Sequence, residues 1–230
     1  MRALAAAALC LFLTMQGHAQ TAAINMEGLK IMPSPEDIRS VAPDLERYAK
    51  EVVIGDVWKR PGLSARDRSI VTVAALIARN QTVEQPYYLN LALDSGVKPA
   101  ELSKVITHLA FYTGWANAIG AIPAARDVFR YRNIGLDQLP PASDPQLPLD
   151  EEGEKQRATR VGEQFGQITP SLVQYTTDVL FRDLWLRPGL APRDRSLVTV
   201  SALIATGQVA QIPYHLTDPQ RDVSGQQDAL

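Results

Sequence analysis

Cysteine is almost missing from this chain. The only one, Cys10, lies in an apolar run, Ala3 to Met15, that follows a single charge at Arg2 and precedes Gly17-His18-Ala19. This is the order of a secretory signal peptide, and the run is too short to cross a bilayer as a helix. Cleavage is expected after Ala19, with export to the periplasm or beyond the cell. The mature chain then has no thiol, which excludes disulfides, thiol redox cycling and cysteine metal sites. Histidine is also scarce: of His18, His108 and His215, only the last two remain, so a histidine-rich metal centre is not expected. A basic excess is absent as well. The formal charge is −2 and becomes −3 once Arg2 is lost, which argues against nucleic acid as a partner. No later run is long and apolar enough to span a membrane, so no membrane association is expected after cleavage.

Strand alternation is lacking too, and the punctuation that is present is helical. Ser34-Pro35-Glu36-Asp37 supplies an N-cap, a proline at the first helical position and acids in the first turn. Pro43 opens a second pattern through Leu45, Tyr48, Val52 and Val57 to Trp58, broken by Pro61-Gly62. Ser64 caps a third helix to about Arg79, with Asp67 as an aspartate capping box and apolar spacing at Val71, Ala75 and Ala78. A fourth runs from Pro86 to Ser95, with Gly96 as its left-handed cap. Pro99 starts a long fifth helix that Pro123 is expected to kink or split before Phe129. The fold class is therefore all-α.

"RPGLSARDRSIVTVAALIA" begins at Arg60, and "RPGLAPRDRSLVTVSALIA" begins at Arg187, 127 residues later. Aligning Trp58–Leu89 with Trp185–Leu216 gives 20 identities over 32 positions, and Pro43, Leu45 and Tyr48 pair with Pro170, Leu172 and Tyr175. The chain reads as a signal peptide (1–19), a first helical unit (33–131), a proline-rich linker (132–153), a second unit that stops early (154–216) and a polar tail (217–230) expected to be disordered. The second unit lacks a counterpart of Gly96–Phe129.

These motifs, with "SGVKPAELSKVITHLAFYTGW" and "DVF", resemble the carboxymuconolactone decarboxylase family, whose helical fold is that of the alkylhydroperoxidase D-like proteins. The resemblance covers about Pro43 to Phe129 and the second unit up to Leu216. The peroxidase branch carries Cys-x-x-Cys-x-x-x-His where this chain has Gln81, Glu84 and Tyr88, and again Gln208, Gln211 and His215. Both cysteines are absent in both copies, so thiol peroxidase chemistry is excluded. The decarboxylase branch keeps the histidine and commonly an acid in those slots. The first unit offers Glu84 with Tyr88, the second His215 with Gln211, and His108 matches the family's other histidine. The resemblance further implies a cofactor-free reaction on a small lactone or unsaturated carboxylic acid, and a homo-oligomer.

Decarboxylation of such a substrate needs a cation to hold the carboxylates, stabilisation of a dienolate and a proton source. His108 is the leading candidate for proton transfer, because Lys104, Tyr112 and Trp115 are spaced to share its helix face. The alternative is a buried histidine hydrogen-bonded within the core. Glu84 is a candidate assistant if buried, and otherwise a solvated surface acid. Arg66 and Arg68 flank a helix N-terminus suited to an anion, or equally form a structural ion-pair cluster with Asp67. Tyr88 and His215 occupy equivalent positions and are candidates to line one shared cleft. Trp58 and Trp185 read as core anchors.

Two functions stand beside each other at this point. One is a cofactor-free lyase, favoured by a sealed, aromatic-lined site at His108. The other is a non-catalytic oligomeric binding protein, favoured by the divided site residues and by a site that is open or packed shut. Either way, the chain beginning at Gln20 is expected to consume no alkyl hydroperoxide with a dithiol reductant; consumption above the protein-free rate in a coupled absorbance assay would overturn the thiol argument.

Overall fold

The computed structural model describes residues 33–140 and 145–216. The expected signal peptide and polar tail, and positions 141–144 of the linker, lie outside the described residues. Among the described residues the fold is all-α, without strands.

Helix α1 (Pro35–Val41) has the capping box expected of it: Asp37 N–H donates to Ser34 Oγ, and Ser34 N–H to the Asp37 carboxylate. Helix α2 (Pro43–Tyr48) continues as a π-helical turn, Ala49–Ile54, and a 3₁₀ turn, Val57–Lys59. Then come α3 (Ala65–Ala78), α4 (Gln85–Asp94), α5 (Pro99–Thr113) and α6 (Trp115–Tyr131). Past the linker lie α7 (Glu151–Phe165), α8 (Pro170–Tyr175) with its π turn Thr176–Phe181, the 3₁₀ turn Leu184–Leu186, α9 (Pro192–Ala205) and α10 (Ile212–Leu216). The bounds of α2, its π turn, its 3₁₀ turn and α3 recur in α8 to α9 at an offset of 127 residues.

Three expectations are corrected. The fifth helix is two helices, and it breaks at Gly114 instead of Pro123. Gly114 has φ +95°, a backbone conformation that glycine enters without steric cost. Pro123 sits inside α6 on its exposed side, where the carbonyl it leaves unbonded can face water. The linker ends earlier than expected: Asp150 accepts from Gly153 N–H and caps α7, so 151–153 are helical. The apolar seam of α3 also differs. Ile70, Val73, Ala74, Ile77 and Ala78 are buried, whereas Val71 and Ala75 are partly exposed. Helix α3 is central, touching α4, α5, α6 and α9, so a single-stripe pattern does not describe it.

One core gathers these helices, from Leu89 and Ala92 on α4 and Leu102, Val105 and Leu109 on α5 to Val198 and Ala202 on α9. Its many alanines let the helix axes approach closely. The α3–α9 pair is held at its N-terminal end by charges that cross between the two units. Arg193 Nη1 and Nη2 donate to the two carboxylate oxygens of Asp67 at 2.7 and 2.9 Å. Arg66 Nη2 donates to Asp194 Oδ2 at 2.7 Å and to Glu101 Oε1 of α5 at 2.7 Å. Here the capping-box reading meets its limit: Asp67 N–H does donate to Ser64 Oγ, but the Asp67 carboxylate is engaged across the interface by Arg193. The hydrogen bonds from Arg193 hold the Asp67 pKa below its ordinary value against the opposing effect of burial.

A depressed native carboxyl pKa stabilises above the unfolded value and loses that contribution as pH falls through the native one. Asp67→Asn is therefore expected to lose about 1–3 kcal/mol at pH 7. The gap from the parent protein should narrow below about pH 4, where Asp67 protonates in the unfolded chain. Thermal melts across pH 3–8 check this, and a gap independent of pH would contradict it.

Candidate active site

Spacing of four on α5 puts His108 and Tyr112 on one face, and that face packs against α9. His108 is fully buried. Its Nε2 is 2.8 Å from Thr199 Oγ1, and that hydroxyl donates its own proton to the carbonyl of Arg195 at 2.9 Å. Thr199 therefore accepts from His108, which assigns the proton of the neutral ring to Nε2 and the basic lone pair to Nδ1.

Aromatic rings close the surroundings. Tyr112 stacks on the imidazole with centroids 4.8 Å apart, and Trp185 meets it edge-on at 5.2 Å. Trp185 Nε1 donates to the Tyr112 hydroxyl at 2.9 Å, so the two rings are fixed relative to each other. On Tyr112's other contact lies His215 of α10, buried, with centroids 5.5 Å apart. The cluster thus takes His108 and Tyr112 from the first unit and Trp185, Thr199 and His215 from the second.

Arg195 is the charge at this site, one helical turn before Thr199 on α9. It is fully buried. Its Nη2 donates to the carbonyl of Arg187, while Nε and Nη1 are buried without a hydrogen-bond partner. Burial pulls its pKa down to about 10, with the nearby Tyr112 acting weakly in the other direction, so the group remains cationic at neutral pH. A buried guanidinium with two unbonded N–H groups is unfavourable unless an acceptor joins it. A carboxylate is the natural acceptor. Arg68, its twin in the first unit, is partly exposed and donates to the carbonyls of Trp58 and Arg60.

The family model for carboxymuconolactone decarboxylases matches residues 43–127 and 170–219. The chain belongs to the carboxymuconolactone decarboxylase family. It is 32% identical to the 4-carboxymuconolactone decarboxylase of Acinetobacter baylyi over 106 residues, 46% of this chain and 79% of that protein. It is also 32% identical to a nitrosuccinic acid decarboxylase of Metarhizium robertsii over 68 residues, 30% of this chain and about half (48%) of that protein. The similarity supports a decarboxylase-like function.

Within this family framework the structure brings together His108, Tyr112 and His215 and leaves the other expected residues elsewhere. Glu84 is exposed at the start of α4 and touches none of the cluster's described contacts. Tyr88 packs against Trp58 and Tyr87, and its pKa is raised by burial and then by Tyr87 and Glu84. The ring contacts of Tyr88 are with Trp58 and Tyr87, and those of His215 are with Tyr112 and Tyr214. Arg66 is committed to Asp194 and Glu101, and Arg68 to its own turn, so the structural reading of R-D-R describes both. Trp115 falls beyond the Gly114 break, 65% exposed and edge-on to Phe111, so it leaves the His108 face. Sequence reasoning missed Arg195, Thr199 and the contact of Trp185 with His108. Their signal was in the repeat, which places them opposite Arg68, Thr72 and Trp58, but identical letters concealed different surroundings. Among the described residues no group of His, Cys, Asp and Glu is arranged to hold a metal, and no helix is long and apolar enough to cross a membrane.

The twin arginines predict opposite outcomes. Arg195→Met removes an unsatisfied buried charge at similar volume and is expected to leave the melting temperature unchanged or raise it. Arg68→Met removes bonded donors and is expected to cost about 1 kcal/mol. Calorimetry of both variants checks the pair, and a clear loss of stability in Arg195→Met would give that residue a structural role instead.

Proposed function

We propose that this protein is a cofactor-free carboxy-lyase acting on a small lactone or unsaturated carboxylic acid. The observation that carries this reading is a fully buried Arg195 with two unbonded N–H groups, placed in the same aromatic enclosure as His108. The substrate carboxylates are held by Arg195 Nε and Nη1. The bond between the ring carbon and one carboxylate breaks, carbon dioxide leaves, and the electron pair passes into the conjugated lactone as a dienolate. His108 takes up a proton from solvent at Nδ1 before the bond breaks, delivers that proton to carbon and returns to the neutral ring. Because Thr199 engages Nε2, Nδ1 is the nitrogen assigned to that transfer. Exclusion of water by Tyr112 and Trp185 strengthens the field of Arg195 on the developing charge. Entry to the enclosure requires α10, a helix of five residues carrying His215, to move aside. We further propose that the protein is exported and self-associates through the apolar residues exposed along 45–57, including Leu45, Tyr48 and Val52.

A second reading is favoured by the closed state of the same site. With His108 and Arg195 both sealed from solvent, the fold also suits a non-catalytic oligomeric protein that binds a small acid.

Turnover of carboxymuconolactone by the chain beginning at Gln20, followed by ultraviolet absorbance, decides between them. The lyase reading expects activity that falls about 100-fold or more in kcat/KM in both Arg195→Met and His108→Ala. Activity equal to the parent in Arg195→Met would discard the carboxylate anchor. Well-folded protein without turnover on this or related unsaturated acids would transfer the weight to the binding protein.

A further inference from the structure

The repeat shows how each position looks with its face covered and with it open. Trp58, Arg68, Thr72 and Tyr88 of the first unit are partly exposed, and Leu63 is 37% exposed. Their twins Trp185, Arg195, Thr199, His215 and Leu190 are all buried. The cover over the twins is α5, whose His108 meets Trp185 and Thr199 and whose Tyr112 meets His215. The opposite imbalance holds one helix further on. Ile204 and Leu216 of the second unit are 61% and 53% exposed, whereas their twins Ile77 and Leu89 are buried in the core. There the cover is α6, which packs on α3 and α4 and donates from Asn117 Nδ2 to the Ala78 carbonyl at 3.0 Å. Leu45 and Tyr48 belong to neither set, because their twins Leu172 and Tyr175 are exposed as well.

Both open areas are the imprint of one element that the described residues of the second unit lack, a helical hairpin equivalent to α5–α6. The charges carry the same imprint. Lys104 of α5 lies against Gly189. The neighbouring Asp183 carboxyl is held below its ordinary pKa by its bond from Arg187 at 2.6 Å, then by Gln146 and, more weakly, by Lys104. The first unit repeats this pair as Asp56–Arg60 at 2.7 Å, more exposed and without a lysine from a covering helix. Arg66 binds Asp194 and also Glu101 of α5. Its twin Arg193 binds Asp67 and Asp194, and its side chain is 33% exposed. A helix laid across this surface therefore meets a cation and then, one turn later, a carboxylate. Glu101 and Lys104 have that spacing and that order of sign on α5.

A second copy of this chain does not offer such a hairpin, because His108 of each copy is already buried against its own α9. We propose that this surface receives a helical hairpin of the α5–α6 kind from a different polypeptide, one that carries a complete unit of this fold. Its first helix sets an acid toward Arg193, a base toward Asp56 and an aromatic or imidazole face on Trp58, Thr72 and Tyr88. Its second helix covers Ile204 and Leu216. This is helix docking into an apolar groove, with the register set by one charge of each sign. The docking stands whether or not the Arg195 enclosure is catalytic.

The probe is the chain's own hairpin, a synthetic peptide of Val97–Tyr131, titrated in the micromolar range into isotope-labelled protein beginning at Gln20. The chain has three tryptophans, whose indole N–H signals are assignable by nuclear magnetic resonance with single Trp→Phe variants. The expected result is a saturable shift of the Trp58 signal, with Trp185 unmoved because its own α5 is in place. Asp56→Lys, at an exposed position, is expected to weaken binding about tenfold, and Lys104→Glu in the peptide to restore it. Because a free peptide folds poorly, a second form carries the hairpin in the same chain: residues 217–230 are replaced by a second copy of Asn90–Tyr131, with Trp115→Phe in the added copy. It is expected to reproduce the Trp58 shift and to raise the melting temperature by about 5 °C or more. A Trp58 signal that moves in neither form, or a peptide that moves Trp185 instead, would overturn the proposal. So would a Trp58 signal that moves on dilution of the protein alone, which would make this face a contact between two copies. Unchanged binding in Asp56→Lys, or no rescue by the Lys104→Glu peptide, would overturn the charge-matched register.

Discussion

The two crossed arginine–aspartate pairs between α3 and α9 set the frame on which everything else hangs. Arg66 reaches Asp194 in the second unit, and Arg193 reaches Asp67 in the first, so the two helix starts are locked side by side. Arg66 also binds Glu101 on α5, which ties that helix to the same point. With those ends registered, the later turns of α9 fall against α5, and Thr199 comes within hydrogen-bonding distance of His108. Long-range pairs of this kind contribute modestly to stability for each charge, but their geometry leaves little freedom in register.

Given that frame, the same motif does different work in its two copies. The first arginine of R-D-R bridges the units in both copies, and the second holds the carbonyl of the preceding Arg-Pro-Gly turn in both. The surroundings then diverge. Arg68 keeps partial contact with solvent, whereas Arg195 is fully buried. A residue that is structural in one copy has become a buried, under-bonded cation in the other, and such a group is more readily explained by a ligand than by folding.

Trp185 joins the His108 cluster to the buried Glu154–Arg157 pair. From Arg157 over Phe181, through the stacked Phe181–Trp185 pair and the edge contact to His108, to Tyr112, aromatic contacts run without a break.

Much of this architecture was legible in the amino-acid order. Proline and serine at helix starts, Gly96 at a helix end and the period of 127 residues are local signals, and they depend on backbone preferences that a residue carries into any fold. His108, Tyr112 and His215 were recognisable as chemical groups for the same reason. Other points depended on what packs against what. Gly114 instead of Pro123 divided the long helix, because a proline on an exposed helix face is tolerated, while a glycine at φ +95° is a turn. That break removed Trp115 from the site. Asp67 served an ion pair instead of a capping box because Arg193 was brought to it from the other unit. Arg195 and Arg68 are the same letter in the same motif, and only desolvation by neighbours distant in the chain separates a bonded structural cation from one left waiting for an acceptor.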